Sequence, residues 1–475
     1  MVRALLDRVC ARHGDAPYLV FRGATWSYAR TGEITDALAA GLLSLDIGPG
    51  DRLAVRLPNG PDHLFLWLAS AKAGIVSCPL HPDLTEPEAE AALARLEPRA
   101  VVSALGTITI EGRPAARLDE LLAARMSLAG ADHPSADTIA TILTTSGTTG
   151  TPKCAMLSHR MAVLTGEAFA SWLGLTGDDR LFTCLPLSHV NARFYSTLGA
   201  LASGASLALE ERFSASRFWG WLRETGTTEA NAIGAMLKIL MERPPSEEDR
   251  DHRVRLVYAA PALGRDAHLA FERRFGVRLV IGYGLTESTF GFIHPLSDDR
   301  DLDSMGRPRA HPDSSLGSEV RLEEGEIWLK NPATFSGYFR DDEATRDAFA
   351  DGGWLKTGDL ATAGPDGSYT FVGRRKLVIR RRGENLTPGE VEAAIEAHPA
   401  VAEAAVVGVP SPLGEEDVMA YVVFRDRMAA TDDELAAFCS RRLAPFKVPT
   451  RWQVLDRLPR TPTQRIAYER LTRPE

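Results

Sequence analysis

The chain predicts an α/β fold: a large N-terminal part with mostly parallel sheets, then a compact α+β unit at the C-terminal end. Three observations carry that prediction. Short apolar, β-rich runs alternate with helical patterns through residues 228–283. A strongly basic stretch at 373–383 marks a change of texture. And 475 residues are too many for one ordinary core.

Taken in order, the first fifteen residues (MVRALLDRVCARHGD) read as an amphipathic helix. They lack the continuous apolar core of a secretion signal. An apolar run, Ile139 to Leu143, precedes a loop rich in Ser, Thr and Gly. Thr228 to Ile233 predicts a short strand followed by a helix through Leu240. Val254 to Ala259 predicts a strand, Leu263 to Phe275 a helix, and Val277 to Ile281 a strand ending in Gly282-Tyr283-Gly284. Strands separated by helices of this length imply crossovers and a parallel sheet. Ligands of such sheets bind beyond the carboxyl ends of the strands. After the basic stretch come a helix (388–397), two strands (404–409 and 418–424) and a helix (432–443). That is a domain of about a hundred residues. The boundary is placed at Lys376, giving domains of 1–376 and 377–475. No internal repeat or low-complexity linker interrupts either.

Composition narrows the function classes. The net charge of −9 argues against a general nucleic-acid binder, which carries a basic face. No run of about 18 apolar residues exists to span a membrane. The five cysteines, at 10, 78, 154, 184 and 439, form no CxxC pair. They fit neither a zinc site nor a disulfide framework, and reduced thiols in a cytoplasm are the expectation.

The segment Thr144-Thr145-Ser146-Gly147-Thr148-Thr149-Gly150-Thr151-Pro152-Lys153 has the makings of an anion cradle. Glycines let backbone N–H groups approach a phosphate, hydroxyls donate further hydrogen bonds, and Lys153 supplies charge. It is not a Walker A loop, because the Gly-Lys-Ser/Thr ending is missing. A solvated surface loop is the alternative reading of the same composition.

The stretch SGTTGTPK resembles the nucleotide-phosphate loop of the adenylate-forming superfamily: acyl-CoA synthetases, aryl-CoA ligases, luciferases and peptide-synthetase adenylation domains. The resemblance continues in order over nearly the whole chain. Leu185 to Asn191 (LPLSHVN) is similar to the segment bordering the acyl pocket, with His189 near the carboxylate and the pantetheine entrance. Tyr283-Gly284-Leu285-Thr286-Glu287 is similar to the YGxTE station. The resemblance implies that Tyr283 packs on adenine, Thr286 bonds phosphate and Glu287 holds Mg²⁺, a hard dication that takes oxygen ligands. Without the preceding glycines, Thr-Glu here reads as a helix cap. Ala259-Ala260-Pro261 resembles the stretch on the other side of adenine. Asp359, in WLKTGDL, is implied to bind the ribose hydroxyls, joined by Arg374. Residues 325–329 and 337–339 resemble a further station and are assigned to packing. Gly383 to Glu392 resembles the start of the family's mobile C-terminal domain, which rotates between two half-reactions, and 443–449 matches late in the same domain.

Three departures stand out. Cys154 replaces the usual Gly and reads as solvent-facing, since no partner base is evident. Leu377 follows Gly373-Arg374-Arg375-Lys376 where the family has Asp or Lys at its hinge. Gln464-Arg465 stands where the family has Gly-Lys, so a planar fork replaces a point charge near the α-phosphate. Beside the hinge, Arg380-Arg381-Arg382 reads either as a solvated face or as a docking patch for the phosphates of CoA, with Gly383 and Glu384 alongside.

The resemblance implies ATP-dependent activation of a small aryl or short acyl acid as an adenylate, then transfer to CoA. Lys153, Thr286, Glu287, Arg465 and His189 are the implied catalytic set. ATP, Mg²⁺ and CoA are the implied cofactors, and a homodimer is one expectation. Pocket candidates are His189, Asn191, Phe194, Ile233, Ala235, Tyr258, Gly282, Gly284 and Phe290. Alternatives are an amide synthetase, carrier-protein loading, a nitrite-activating diazotase, or a non-catalytic binder of AMP or CoA.

Overall fold

A computed structural model describes residues 1–123, 128, 133–145, 153–260, 263–374, 379–386, 388–412, 414–459, 466, 468 and 471, with 372–374 and 385 by backbone alone. The chain forms two compact units. The first comprises Met1–Pro82, Leu96–Leu143 and Cys154–Gly373; the second comprises Asp83–Arg95, Thr144–Lys153 and Arg374–Glu475. Two stretches from the N-terminal half therefore group with the C-terminal residues, which a single cut at 376 does not convey.

The predicted strand–helix alternation organises the first unit. Glu229–Ile233, Leu256–Ala260 and Arg278–Tyr283 run parallel in register, with helices Gly234–Glu242 and Arg265–Phe275 between them. Arg180–Thr183, Ser206–Leu209 and Pro17–Phe21 extend the parallel run, and antiparallel strands close both edges of a nine-stranded sheet. Buried on both faces, such strands read as apolar runs rather than as alternating ones. A seven-stranded sheet contains Arg52–Val55, Val76–Pro79 and Ile139–Thr145, adjacent in that order and parallel to one another. The N-terminal amphipathic helix, Val2–His13, buries Val2, Leu5, Leu6 and Val9. One core cluster runs through both sheets and their helices. A five-stranded sheet built on Glu326–Lys330 and Trp354–Ala363 completes the unit.

In the second unit, Val401–Pro410 pairs antiparallel with Glu416–Phe424, which pairs in parallel with Arg451–Val454. Helices Pro388–Glu396 and Asp432–Ser440 pack on this sheet through Val391, Ile395, Leu435 and Cys439. The second helix starts with a capping box between Thr431 and Glu434.

One surface expectation fails here. Cys154 is buried, because the strand Lys153–Ser158 sinks both Cys154 and Ala155.

Candidate active site

The strand Arg278–Tyr283 delivers Tyr283 to the carboxyl end of the nine-stranded sheet. Beyond it the chain bends: Leu285 N–H donates to the Ser288 carbonyl at 2.8 Å, and no helix follows, so Thr286 and Glu287 do not cap one. The bend holds Glu287 partly buried, and its backbone carbonyl accepts from Phe335 N–H at 2.8 Å.

Glu287 is gripped from the segment 335–339. The Tyr338 hydroxyl donates to Glu287 Oε1 at 2.7 Å. Burial, and then the neighbouring Glu287 charge, push the Tyr338 phenol well above its ordinary range, so it serves as a donor. Tyr338 is itself fixed. Gly337 has φ +112°, and a Cβ there would press on Thr345 at 2.7 Å. Tyr338 N–H donates to Thr345 Oγ1 at 2.9 Å. The same segment is bridged to the strand leaving the Ser/Thr/Gly loop: Met156 N–H to the Gly337 carbonyl at 2.9 Å, and Phe339 N–H to the Cys154 carbonyl at 2.8 Å. A segment assigned to packing thus ties the carboxylate to the strand that follows the loop.

Asp359 lies within the strand Trp354–Ala363, where its pairing with Glu326–Lys330 is interrupted by a bulge. Gly358, at φ +73°, offers its N–H to Glu326 Oε1 at 2.8 Å, and Asp359 N–H donates to Thr357 Oγ1 at 3.1 Å. The Asp359 side chain is buried, and its Oδ2 accepts the Tyr283 hydroxyl at 2.7 Å. The implied adenine and ribose groups are therefore hydrogen-bonded to each other. Ala260 ends its strand next to Ile233. Pro261 lies outside the described residues, and Arg374 is described by backbone only.

The residues expected to line the acyl pocket gather around a π-helix, Asn191–Leu198, which begins two residues after His189. Such turns recur at functional sites. His189 is half-buried, with its ring 6.2 Å from that of His81. Asn191 accepts from the Asn231 amide. Ile233 is partly open and Gly284 is exposed, while Phe194, Ala235, Tyr258, Gly282 and Phe290 are buried beneath. Sequence reasoning missed two neighbours of these residues. Tyr195 donates its hydroxyl to the Thr289 carbonyl at 2.8 Å, and the buried Arg309 donates to the hydroxyls of Tyr195 and Tyr258. Nothing in Gly306-Arg307-Pro308-Arg309 distinguishes Arg309 from a surface arginine.

In the second unit, the Thr145 hydroxyl donates to the Lys153 carbonyl at 3.4 Å, closing the base of the loop. Ser146, Gly147, Thr148, Thr149 and Gly150 lie outside the described residues, as do Gln464 and Arg465. The arginine triplet is not one exposed face. Arg381 is buried and donates to the carbonyls of Phe446 and Val448, at 3.0 and 2.7 Å. Arg380 lies 3.7 Å from Glu415, and only Arg382 is exposed. Gly383 N–H is held by Glu415 Oε2 at 2.9 Å, and Glu384 opens the short strand Glu384–Leu386.

Residues 6–339 match the AMP-binding enzyme model, and residues 390–465 match the model of the AMP-binding enzyme C-terminal domain. The chain belongs to the AMP-binding enzyme family. Membership makes it an adenylate-forming ligase. Among curated members of the family, the chain is similar to sulfoacetate–CoA ligase of Cupriavidus necator, with 32% identity over 98% of this chain and 96% of that one. It is also similar to crotonobetaine/carnitine–CoA ligase of Citrobacter koseri, with 30% identity over 99% and 98%. Solved relatives include o-succinylbenzoate CoA synthetase from Bacillus subtilis, with TM-score 0.85 and 26% identity, covering 98% of each chain. The amide bond synthetase from Marinactinospora thermotolerans matches with the same TM-score and identity, over 98% and 99%. No described helix is long and apolar enough to cross a membrane.

Proposed function

We propose that this enzyme activates a small carboxylic acid as its acyl adenylate and passes the acyl group to CoA. Two hydroxyl–carboxylate pairs, Tyr338–Glu287 and Tyr283–Asp359, carry the reading. They present one carboxylate suited to a metal–triphosphate, on the bend after a sheet strand, and another suited to a ribose, within a bulged strand. An acid oxygen attacks the α-phosphorus of ATP, the bond to the β-phosphate oxygen breaks, and pyrophosphate leaves. A thiolate of CoA then attacks the acyl carbon, and AMP leaves. Lys153 and the loop amides stabilise the charge on the phosphates, the expected main catalytic term. Arg465 stands in for the usual lysine.

The donor set fits Mg²⁺: Glu287 offers hard carboxylate oxygens, one of them oriented by Tyr338. Bound there, the ion would offset phosphate charge. Residues 1–376 act as the adenylation domain and 377–475 as the mobile domain. CoA docking falls to Arg382, with Arg380, Gly383 and Glu384, because Arg381 is turned inward.

The likeness to an amide bond synthetase, together with Gln464-Arg465, favours a second reading in which an amine is the acceptor. Product analysis decides between them. An acid, ATP and CoA should give an acyl-CoA and AMP, with no acyl product beyond the adenylate when CoA is omitted. An amide formed from acid and amine without CoA would replace the first reading by the second.

A further inference from the structure

Phe292–Ile293 and Arg307–Pro308 are two-residue strands that pair antiparallel, and a glycine lets them meet. Gly306 has φ +96°, and a Cβ there would collide with the Ile293 backbone. Directly after the second strand comes Arg309, 1% exposed. It has no carboxylate within ion-pair distance among the described residues. Taking a charge out of water is costly unless an opposite charge meets it, so burial alone gives no reason for an arginine here. The reason lies in the oxygens that it holds. Its Nε donates to the Phe292 carbonyl at 2.6 Å, and its Nη1 to the Thr289 carbonyl at 3.3 Å and the Tyr195 hydroxyl at 3.1 Å. Its Nη2 donates to the Tyr258 hydroxyl, and its backbone N–H to the Gly291 carbonyl at 2.8 Å.

This network is closed and converges on one carbonyl. Tyr195 gives its hydroxyl hydrogen to Thr289, so the bond between the two tyrosine hydroxyls is donated by Tyr258. Burial pushes the Tyr195 phenol up, which keeps it a donor. Thr289 lies two residues after Glu287. Its N–H donates to the Ala333 carbonyl at 3.2 Å and its hydroxyl meets that of Thr165 at 2.6 Å, which leaves the carbonyl to Arg309 and Tyr195. As far as Tyr283 the chain is fixed by strand pairing, with Leu256–Ala260 on one side and Phe292–Ile293 on the other. From Gly284 to Gly291 there is no helix or strand. The place of Glu287 therefore depends on anchors: Tyr338 at its carboxylate, Phe335 N–H at its carbonyl, and the Thr289 carbonyl two residues on.

We propose that Arg309 is a positioning residue for Glu287. Its planar fork spans the Phe292 and Thr289 carbonyls and, with Tyr195, orients the Thr289–Phe290 peptide. That fixes the exit of the irregular segment and, through it, the spot at which the Glu287 carboxylate meets a metal–nucleotide. Arg309 acts through backbone, not by touching nucleotide or acid. The inference rests on the assignment of Glu287 to Mg²⁺ in the reading above. Tyr283 and Asp359 are held by their strands and by each other, so the adenosine side of the site does not depend on Arg309.

The test is calorimetric titration of the whole chain with AMP and, separately, with Mg-ATP. AMP reports the adenosine side alone, and Mg-ATP adds Glu287. Arg309→Met should weaken Mg-ATP binding by about tenfold and change AMP binding by less than about twofold. Arg309→Lys keeps the charge without the fork and should stay within about threefold of Arg309→Met. Tyr195→Phe should weaken Mg-ATP by about threefold and leave AMP alone. If Arg309→Met fails to fold, Tyr195→Phe decides by the same criterion. A merely structural role would lower the binding stoichiometry or weaken both ligands alike, and either result would overturn the assignment. Unchanged Mg-ATP affinity, or full recovery in Arg309→Lys, would overturn it too. Failure of the acid-activating reading looks different: the wild type would bind Mg-ATP yet exchange no pyrophosphate with any acid, while the binding comparison, which needs no acid, still stands. A wild type that binds neither nucleotide would overturn both.

Discussion

Replacing Tyr338 by Phe removes a single oxygen and leaves the ring that packs edge-on against Phe335, 4.8 Å between centroids. The lost bond is the 2.7 Å donation to Glu287 Oε1. A hydrogen bond to a charged group contributes about 1.5–3 kcal/mol, which corresponds to roughly 10–150-fold in an equilibrium constant. Partners that orient a metal ligand typically change metal affinity or activity by about 10–100-fold. The expected outcome is therefore an apparent Mg²⁺ constant raised by about one to two orders of magnitude, with activity recovering at high Mg²⁺. Acid-dependent pyrophosphate release, titrated with Mg²⁺ at saturating ATP, reads this directly. A rate loss that no Mg²⁺ concentration restores would refute the positioning role, and so would an unchanged titration.

Further outcomes follow from other residues. Tyr283→Phe breaks the bond to Asp359, so the KM for ATP should rise by about tenfold with kcat nearly unchanged, as initial rates would show. The Glu229 carboxyl is fully buried with neither oxygen hydrogen-bonded among the described residues, and burial raises its pKa well above the ordinary carboxylate value. A raised folded-state pKa contributes stability that is fully present below the unfolded value and is lost as pH rises through the folded one. Glu229→Gln should therefore raise Tm more near pH 8 than near pH 5, and a gain equal at both pH values would contradict this. Arg381→Ala strands two carbonyls and should cost about 1–3 kcal/mol in denaturant titration, whereas Arg382→Ser should leave stability alone and raise the KM for CoA. Arg465→Ala should abolish acid-dependent pyrophosphate release, and unchanged release would remove Arg465 from the catalytic set.

The parallel strands around Tyr283 were legible because buried strands of that length have apolar runs, with helices of matching spacing between them. The YGxTE station was legible as sequence, but its support was not. Tyr338 lies 51 residues from Glu287, and a Gly-Tyr-Phe run gives no sign that its hydroxyl faces a carboxylate. Arg309 escaped for a similar reason: three residues of loop chemistry, Arg-Pro-Arg, conceal a cation sunk against two tyrosines from other strands and helices. Arg381 was readable in principle. It shares a face with Ile379 in a short strand, where alternate residues point the same way, and both are buried. Cys154 and Ala155 are buried side by side, so simple alternation could not have revealed Cys154.

The central claim is that this chain forms an acyl adenylate. Exchange of radiolabelled pyrophosphate into ATP tests it most directly, because it reports adenylate formation and its reversal without CoA or any acceptor. The account predicts exchange that requires both Mg²⁺ and a carboxylic acid and is lost in Glu287→Ala. Nucleotide binding without exchange, across a panel of aryl and short acyl acids, would contradict it and leave a protein that binds AMP without doing this chemistry.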